Sequence, residues 1–196
     1  MRLVLATRNE HKLRELRELL SPHELEPLPP EVRLPPETGE TFAANALIKA
    51  RAAARATGSA VIADDSGIAA AALGGRPGVR SARFAGESAT DEENLAKLLR
   101  EVPSEGDRRV AYVCVLAFVE PAGEERLFEG HCDGVLSDPP RGTGGFGYDP
   151  AFIPEELGDG RTMAELDPHE KGAISHRGRA ARALAAWLAD SRPVAA

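Results

Sequence analysis

The sequence predicts an α/β fold on a mixed β-sheet, and three observations carry that prediction. Leu3-Val4-Leu5-Ala6 and Ala60-Val61-Ile62-Ala63 are short apolar runs with the length of buried strands. Helical periodicity lies between them, so they pair in parallel through crossover helices. Two longer stretches, 110–119 and 126–131, flank Pro121-Ala122-Gly123 and predict an antiparallel hairpin. A chain of 196 residues gives one domain over 1–196, or two lobes sharing a core.

The elements follow in order. After the first strand, Thr7-Arg8-Asn9 breaks the apolar run, and Leu13, Leu16, Leu19 and Leu20 set a helical period. Residues 22–36 hold six prolines, which excludes a helix or a central strand and leaves a loop or an edge strand. Thr41 offers an N-cap for an alanine-rich helix over 42–57, stopped by Gly58. The second strand ends in Asp64-Asp65-Ser66-Gly67, and 74–78 reads as a loop. A helix over 90–100 has Asp91, Glu92 and Glu93 in its first turn, where the helix dipole favours negative charge. The hairpin comes next, then a glycine-rich stretch at 142–147, a short strand at 151–153, a capping box from Thr162 to Glu165 that opens a short helix, and a last helix over 177–189.

Composition narrows the function classes. Hydrophobic residues make up 42%, and 19 glycines with 15 prolines stay below the low-complexity range, so the chain is globular. The net charge of −7 provides no overall positive field to draw it onto nucleic acid or an anionic membrane. The longest apolar stretch, 110–119, is far too short for a membrane span, and the first residues lack the apolar length of a secretory signal. Two cysteines, Cys114 and Cys132, make neither a disulfide framework nor a Cys-x-x-Cys pair. A cytoplasmic protein is expected.

Four segments could carry chemistry. Gly142-Thr143-Gly144-Gly145-Phe146-Gly147 matches G-x-G-x-x-G, but prolines on both sides deny it the strand and long helix of a dinucleotide loop. It reads either as backbone shaped to approach a flat ligand beside Phe146 and Tyr148, or as a plain tight connection. Asp64-Asp65-Ser66-Gly67 sits where a buried strand meets a loop, with adjacent side chains on opposite faces. With Glu37 these carboxylates suit a hard cation such as Mg²⁺, or they form a solvated acidic turn. Thr7, Asn9 and Lys12 open the first helix, where amides, dipole and an ammonium would hold phosphate unless they are an ordinary cap. Ser175-His176-Arg177-Gly178, with Lys171 upstream, supplies donors at the start of the last helix, and capping alone explains it equally well. The other histidines have no metal-ligand spacing, and no Gly-x-Ser-x-Gly elbow exists, so zinc catalysis and acyl transfer drop out.

Taken in order, 5–12, 37–42 with Asn45-Ala46 and Lys49-Ala50, 63–67, 142–150, and Glu170-Lys171 with 174–178 resemble the inosine triphosphate pyrophosphatase family, across nearly the whole chain. The resemblance implies an elongated mixed sheet flanked by helices, two lobes around a central nucleotide-binding cleft, a homodimer and Mg²⁺ dependence. It implies hydrolysis of non-standard purine nucleoside triphosphates (ITP, dITP, XTP) to the monophosphate and pyrophosphate. By the same resemblance Thr7, Arg8, Asn9, Glu10, His11, Lys12 and Lys49 meet the substrate's phosphates. Glu37 and Asp65 hold the metal, Asp65 also accepts the proton, and Ser66 touches substrate. Phe146, Gly147, Tyr148, Asp149, Lys171, His176 and Arg177 form the purine pocket. One departure stands out: many members have Gly where this chain has Arg8. Two rivals are a Maf-type nucleotide pyrophosphatase, disfavoured by the Ser-His-Arg and Gly-Gly-Phe-Gly-Tyr-Asp motifs, and a non-catalytic RNA-binding module, disfavoured by the negative charge.

Overall fold

The computed structural model describes residues 1–191. Its elements run β1 (Arg2–Leu5), α1 (Glu10–Leu19), β2 (Glu24–Pro27), α2 (Phe42–Thr57), β3 (Val61–Ala70), α3 (Asp91–Glu101), β4 (Arg109–Val119), β5 (Glu125–Leu136), β6 (Phe152–Pro154), α4 (Pro168–Ile174) and α5 (His176–Ser191). The six strands form one sheet in the order β2-β1-β3-β4-β5-β6. β1 pairs in parallel with both β2 and β3, while β5 and β6 are antiparallel. The sheet is therefore mixed and flanked by helices, as the sequence predicts. Among the described residues no helix is long and apolar enough to cross a membrane.

Two compact units divide the chain. The first comprises Met1–Asp65, Cys114–Gly130 and Arg177–Ala196, the second Ser66–Val113 and His131–His176. In the first, strand alternation separates two apolar layers. Leu3, Leu5, Ile62, Leu116 and Phe118 pack with Leu16 and Leu20 of α1 and Leu184 and Leu188 of α5. Val4, Ala6, Val61, Ala63, Val115 and Ala117 pack with Ala46, Ala50, Ala53 and Ala54 of α2. The small side chains of α2 let its axis lie close to the strands. The second unit has its own core, in which Ile68, Leu98, Tyr112, Leu136, Phe152 and Met163 are all buried.

Most element ends follow their caps. The Thr41 hydroxyl accepts from Ala44 N, and Gly58 closes α2 at φ 64°. Thr90 and Glu93 form a reciprocal capping box on α3. Of the two readings of the proline-rich segment, the edge strand holds for Glu24–Pro27: β2 takes the sheet edge, where one ladder of donors is dispensable. Two expectations change. The Thr162–Glu165 capping box forms but opens only a 3₁₀ turn over Met163–Glu165, and the helix proper starts at Pro168 with Asp167 as its cap. Most consequential, β3 does not stop at Ala63 but runs through Asp64, Asp65, Ser66 and Gly67 to Ala70. Turn-forming composition is overridden because both aspartates find cationic and amide partners within the sheet's flanking layers.

Candidate active site

On β3 the two aspartates inherit the alternation of the strand. Asp64 shares a face with Ile62 and so points toward the layer of α1 and α5. Asp65 shares a face with Ala63, toward α2. Asp64, 1% exposed, receives Lys12 Nζ at 2.8 Å and Arg177 Nη2 at 3.4 Å on the same oxygen. Burial alone would raise this carboxyl, but the charges of Lys12, Arg177 and Lys49 reverse that and hold it below the usual carboxylate range. Arg177 Nη1 donates to Glu15 Oε2 at 2.7 Å, and facing two carboxylates the buried guanidinium is held ionised. Asp64 is thus a permanent counter-ion.

Asp65 titrates differently. Asn45 Nδ2 donates to its Oδ2 at 3.0 Å, and Lys49 Nζ lies 3.8 Å from Oδ1 while donating to Glu37 Oε1 at 2.6 Å. Burial, joined by repulsion from Glu37, outweighs Lys49 and the Asn45 bond and pushes this carboxyl up to about 6. Two neighbouring carboxylates therefore separate into a fixed charge and a group poised near neutrality, the condition for a proton acceptor. Lys49, which composition alone marks as a surface lysine, is buried, and its pKa is raised because the surrounding carboxylates outweigh burial.

Glu37 and Asp65 offer hard oxygen donors beside Lys49. Among the described residues no set of three His, Cys, Asp or Glu side chains converges on a metal position. Mg²⁺ commonly takes one or two carboxylates and completes its shell with waters and substrate phosphates. Glu37 Oε1 and Asp65 Oδ1 both face Lys49 Nζ, at 2.6 and 3.8 Å, so two hard oxygens already converge on one cationic position and the pair fits such an ion.

The loop after β1 is braced rather than open. Asn9 caps α1 by accepting from His11 N at 2.9 Å and Lys12 N at 3.1 Å, and Thr7 Oγ1 accepts from Asn9 N at 3.1 Å. Glu10 and His11 are exposed. The Arg8 guanidinium turns to the proline-rich segment, donating to Leu28 O at 2.8 Å, Pro29 O at 2.7 Å and Val32 O at 2.6 Å. The extra side chain at this position thus ties two loops together. Its removal in Arg8→Ala should loosen residues 28–32 and raise the substrate KM more than it lowers kcat, whereas Lys12→Ala should both raise KM and lower kcat. Steady-state kinetics on the two variants checks this.

In the second unit the glycine-rich loop is followed by a 3₁₀ turn, Asp149–Ala151, and the three-residue β6, not by a long helix. Gly144 N donates to Ala164 O at 2.9 Å and Gly147 N to Asp91 Oδ2 at 2.8 Å, which anchors the loop on both sides. Tyr148, buried, donates its hydroxyl to Ser81 O at 2.7 Å. Asp149 Oδ2 accepts from Phe146 N at 2.9 Å and from Lys171 Nζ at 2.7 Å, and that ammonium sits 5.1 Å from the centre of the half-buried Phe146 ring. Ser66 lies half-buried on β3. His176 is buried at the start of α5, its ring stacked on Tyr112 at 4.5 Å. Gly145 adopts φ 69°, and a Cβ there would overlap Asp149 Oδ2. Gly145→Ala should therefore displace the Asp149 carboxylate and raise the nucleotide KM by about tenfold or more; an unchanged KM in titrations would contradict this placement.

Three side chains around the site receive no role from the sequence. Asn45 bridges two segments, accepting from Gly39 N at 2.7 Å while holding Asp65; an amide in an otherwise alanine-rich stripe is the signal that could have revealed it. Glu15 is one of several charged residues on α1, and Tyr112 sits inside an apolar strand run, so neither has a sequence signal.

The model of the Ham1 family matches residues 3–187. A dITP/XTP pyrophosphatase of Symbiobacterium thermophilum is 53% identical over 185 residues, covering 91% of this chain and 90% of its own length. One of Geobacter sulfurreducens is 52% identical over 189 residues, covering 91% and 92%. The solved Ham1 protein of Staphylococcus aureus superimposes with a TM-score of 0.86 at 39% identity, covering 98% of this chain and 100% of that one. A family model matching residues 3–187, with relatives of about half identity over nine-tenths of the chain, means that the chain belongs to the Ham1 family.

Proposed function

We propose that this chain hydrolyses ITP, dITP and XTP between the α and β phosphates, releasing the nucleoside monophosphate and pyrophosphate. The observation that carries this reading is the divergent tuning of Asp64 and Asp65 on one strand, next to two lysines. Relatives named dITP/XTP pyrophosphatase support the substrate class.

Lys12, Lys49, Thr7 and Asn9 hold the polyphosphate tail and spread its charge. Asp65, ionised for most of the time above pH 6, orients the attacking water and takes its proton. Asp64 keeps Lys12 in place. Glu37 and Asp65 would hold Mg²⁺, which when bound supplies positive charge to the phosphate oxygens. The base stacks on Phe146, with Lys171 and His176 as donors to the 6-oxygen. Two buried cysteines, both free, fit a reducing cytoplasm, and the Cys114 thiol is pushed up to about 12 by burial and is unreactive. We place the protein there as a homodimer, to be checked by sedimentation velocity.

Product analysis decides the reaction: pyrophosphate and IMP from ITP are expected, lost on chelation and restored by Mg²⁺, whereas orthophosphate and IDP would overturn it. Base choice follows from the donors. Adenine presents an amino group where hypoxanthine and xanthine present an oxygen, leaving buried donors unpaired at about 1–3 kcal/mol each, so ATP should trail ITP by roughly 10²–10⁴ in kcat/KM.

A further inference from the structure

Tyr112 lies on β4, only 6% exposed, with its ring between two others. Phe152 stacks on it at 4.3 Å and 23°, His176 at 4.5 Å and 13°. A core tyrosine needs one acceptor for its hydroxyl. Here that acceptor is Asp149 Oδ1, at 3.0 Å. The other oxygen of the same carboxylate already takes Lys171 Nζ and Phe146 N. A carboxylate offers about four lone-pair sites, so the protein itself fills most of them.

We propose that Tyr112 is a positioning residue that sets base specificity: it caps Asp149 Oδ1, withholding an anionic acceptor from the bound base, and it holds the His176 ring flat for donation to the 6-oxygen. The proposal rests on the purine reading given above and deepens it. Donors alone reject an exocyclic amino group only while no strong acceptor lies beside them. A carboxylate oxygen without its hydroxyl would be buried and short of a donor, and an amino group of adenine or guanine could satisfy it with a charge-assisted bond. Loss of the tyrosine hydroxyl turns a pocket for oxo-purines into a pocket that also accepts amino-purines.

Tyr112→Phe removes the hydroxyl and keeps both ring stacks. Pyrophosphate release from ITP, XTP, GTP and ATP, measured on the full-length variant with Mg²⁺, should show ITP losing and GTP and ATP gaining. The ITP:GTP and ITP:ATP ratios of kcat/KM should narrow by about tenfold or more, carried by KM rather than kcat. A ratio within one preparation cancels any change in folded fraction, which a purely structural role would move. Tyr112→Leu, which also removes the His176 stack, should narrow the ratios and raise the ITP KM further. Ratios that stay at the parent value in folded Tyr112→Phe, or in Tyr112→Leu, overturn the proposal alone. A parent chain that releases no pyrophosphate from ITP or XTP overturns the purine reading and this proposal with it.

Discussion

Asp65→Asn is expected to lower turnover by at least about 10²-fold while making the metal-free protein more stable at pH 8. The Asp65 carboxyl is pushed up to about 6 in the fold, from an ordinary value of 3.8. The folded protein therefore binds this proton more tightly than the unfolded chain does. The stability that the group contributes is complete below about pH 4 and lost as pH rises through 6. At pH 8 the ionised side chain costs on the order of 2–3 kcal/mol, since each pKa unit is worth about 1.4 kcal/mol. Asparagine cannot ionise, and its carbonyl can still accept from Asn45 Nδ2. Thermal melts in chelator should place the variant several degrees above the parent at pH 8 and close to it at pH 4.5. An equal offset at both pH values would mean that Asp65 carries no such strain.

Arg177→Ala is expected to be the most destabilising single change in the site. The guanidinium is 2% exposed and serves Asp64 and Glu15, so its removal takes one of the two cations from the buried Asp64 Oδ2 and leaves Lys12 there. Breaking such a pair costs about 3–5 kcal/mol, or roughly 6–20 °C for a chain of this size. Because its terminal nitrogens address the carboxylates of Glu15 and Asp64, we expect the ITP:ATP ratio of the surviving enzyme to stay near the parent value. A ratio that collapses with little loss of stability would instead make Arg177 a base reader. The double variant Asp64→Asn/Arg177→Met, which removes both charges, should recover part of the stability in urea titrations.

Local rules made much of this legible. The N-caps at Thr41 and Thr90, the stop at Gly58 and the turn at 121–123 depend on neighbours in sequence, and each forms where its residue type demands. Phe146 and Asp149 of the glycine-rich loop also meet Lys171 of α4. What stayed hidden depends on distant partners. Nothing near Asp64 announces that Lys12 and Arg177, 113 positions away, will let β3 continue through it. Lys49 looks like any helical lysine until Glu37 and Asp65 surround it. Arg8 looks like a phosphate ligand until the carbonyls of 28–32 claim it.

The first unit is assembled from the beginning, the middle and the end of the chain. Its layer of Leu3, Leu5, Leu16 and Leu20 is completed by Leu184 and Leu188, and the ion pair between Glu15 and Arg177 spans 162 positions. On the ribosome, at roughly 5–20 residues per second, the leucines of β1 and α1 are made about ten to forty seconds before the helix that covers them. Until that helix is made the layer has β4 but lacks Leu184 and Leu188, so part of its apolar surface has no cover. A stop codon anywhere before residue 177 would yield no smaller working enzyme but a chain lacking both the lid of its first core and one of the two cations on Asp64.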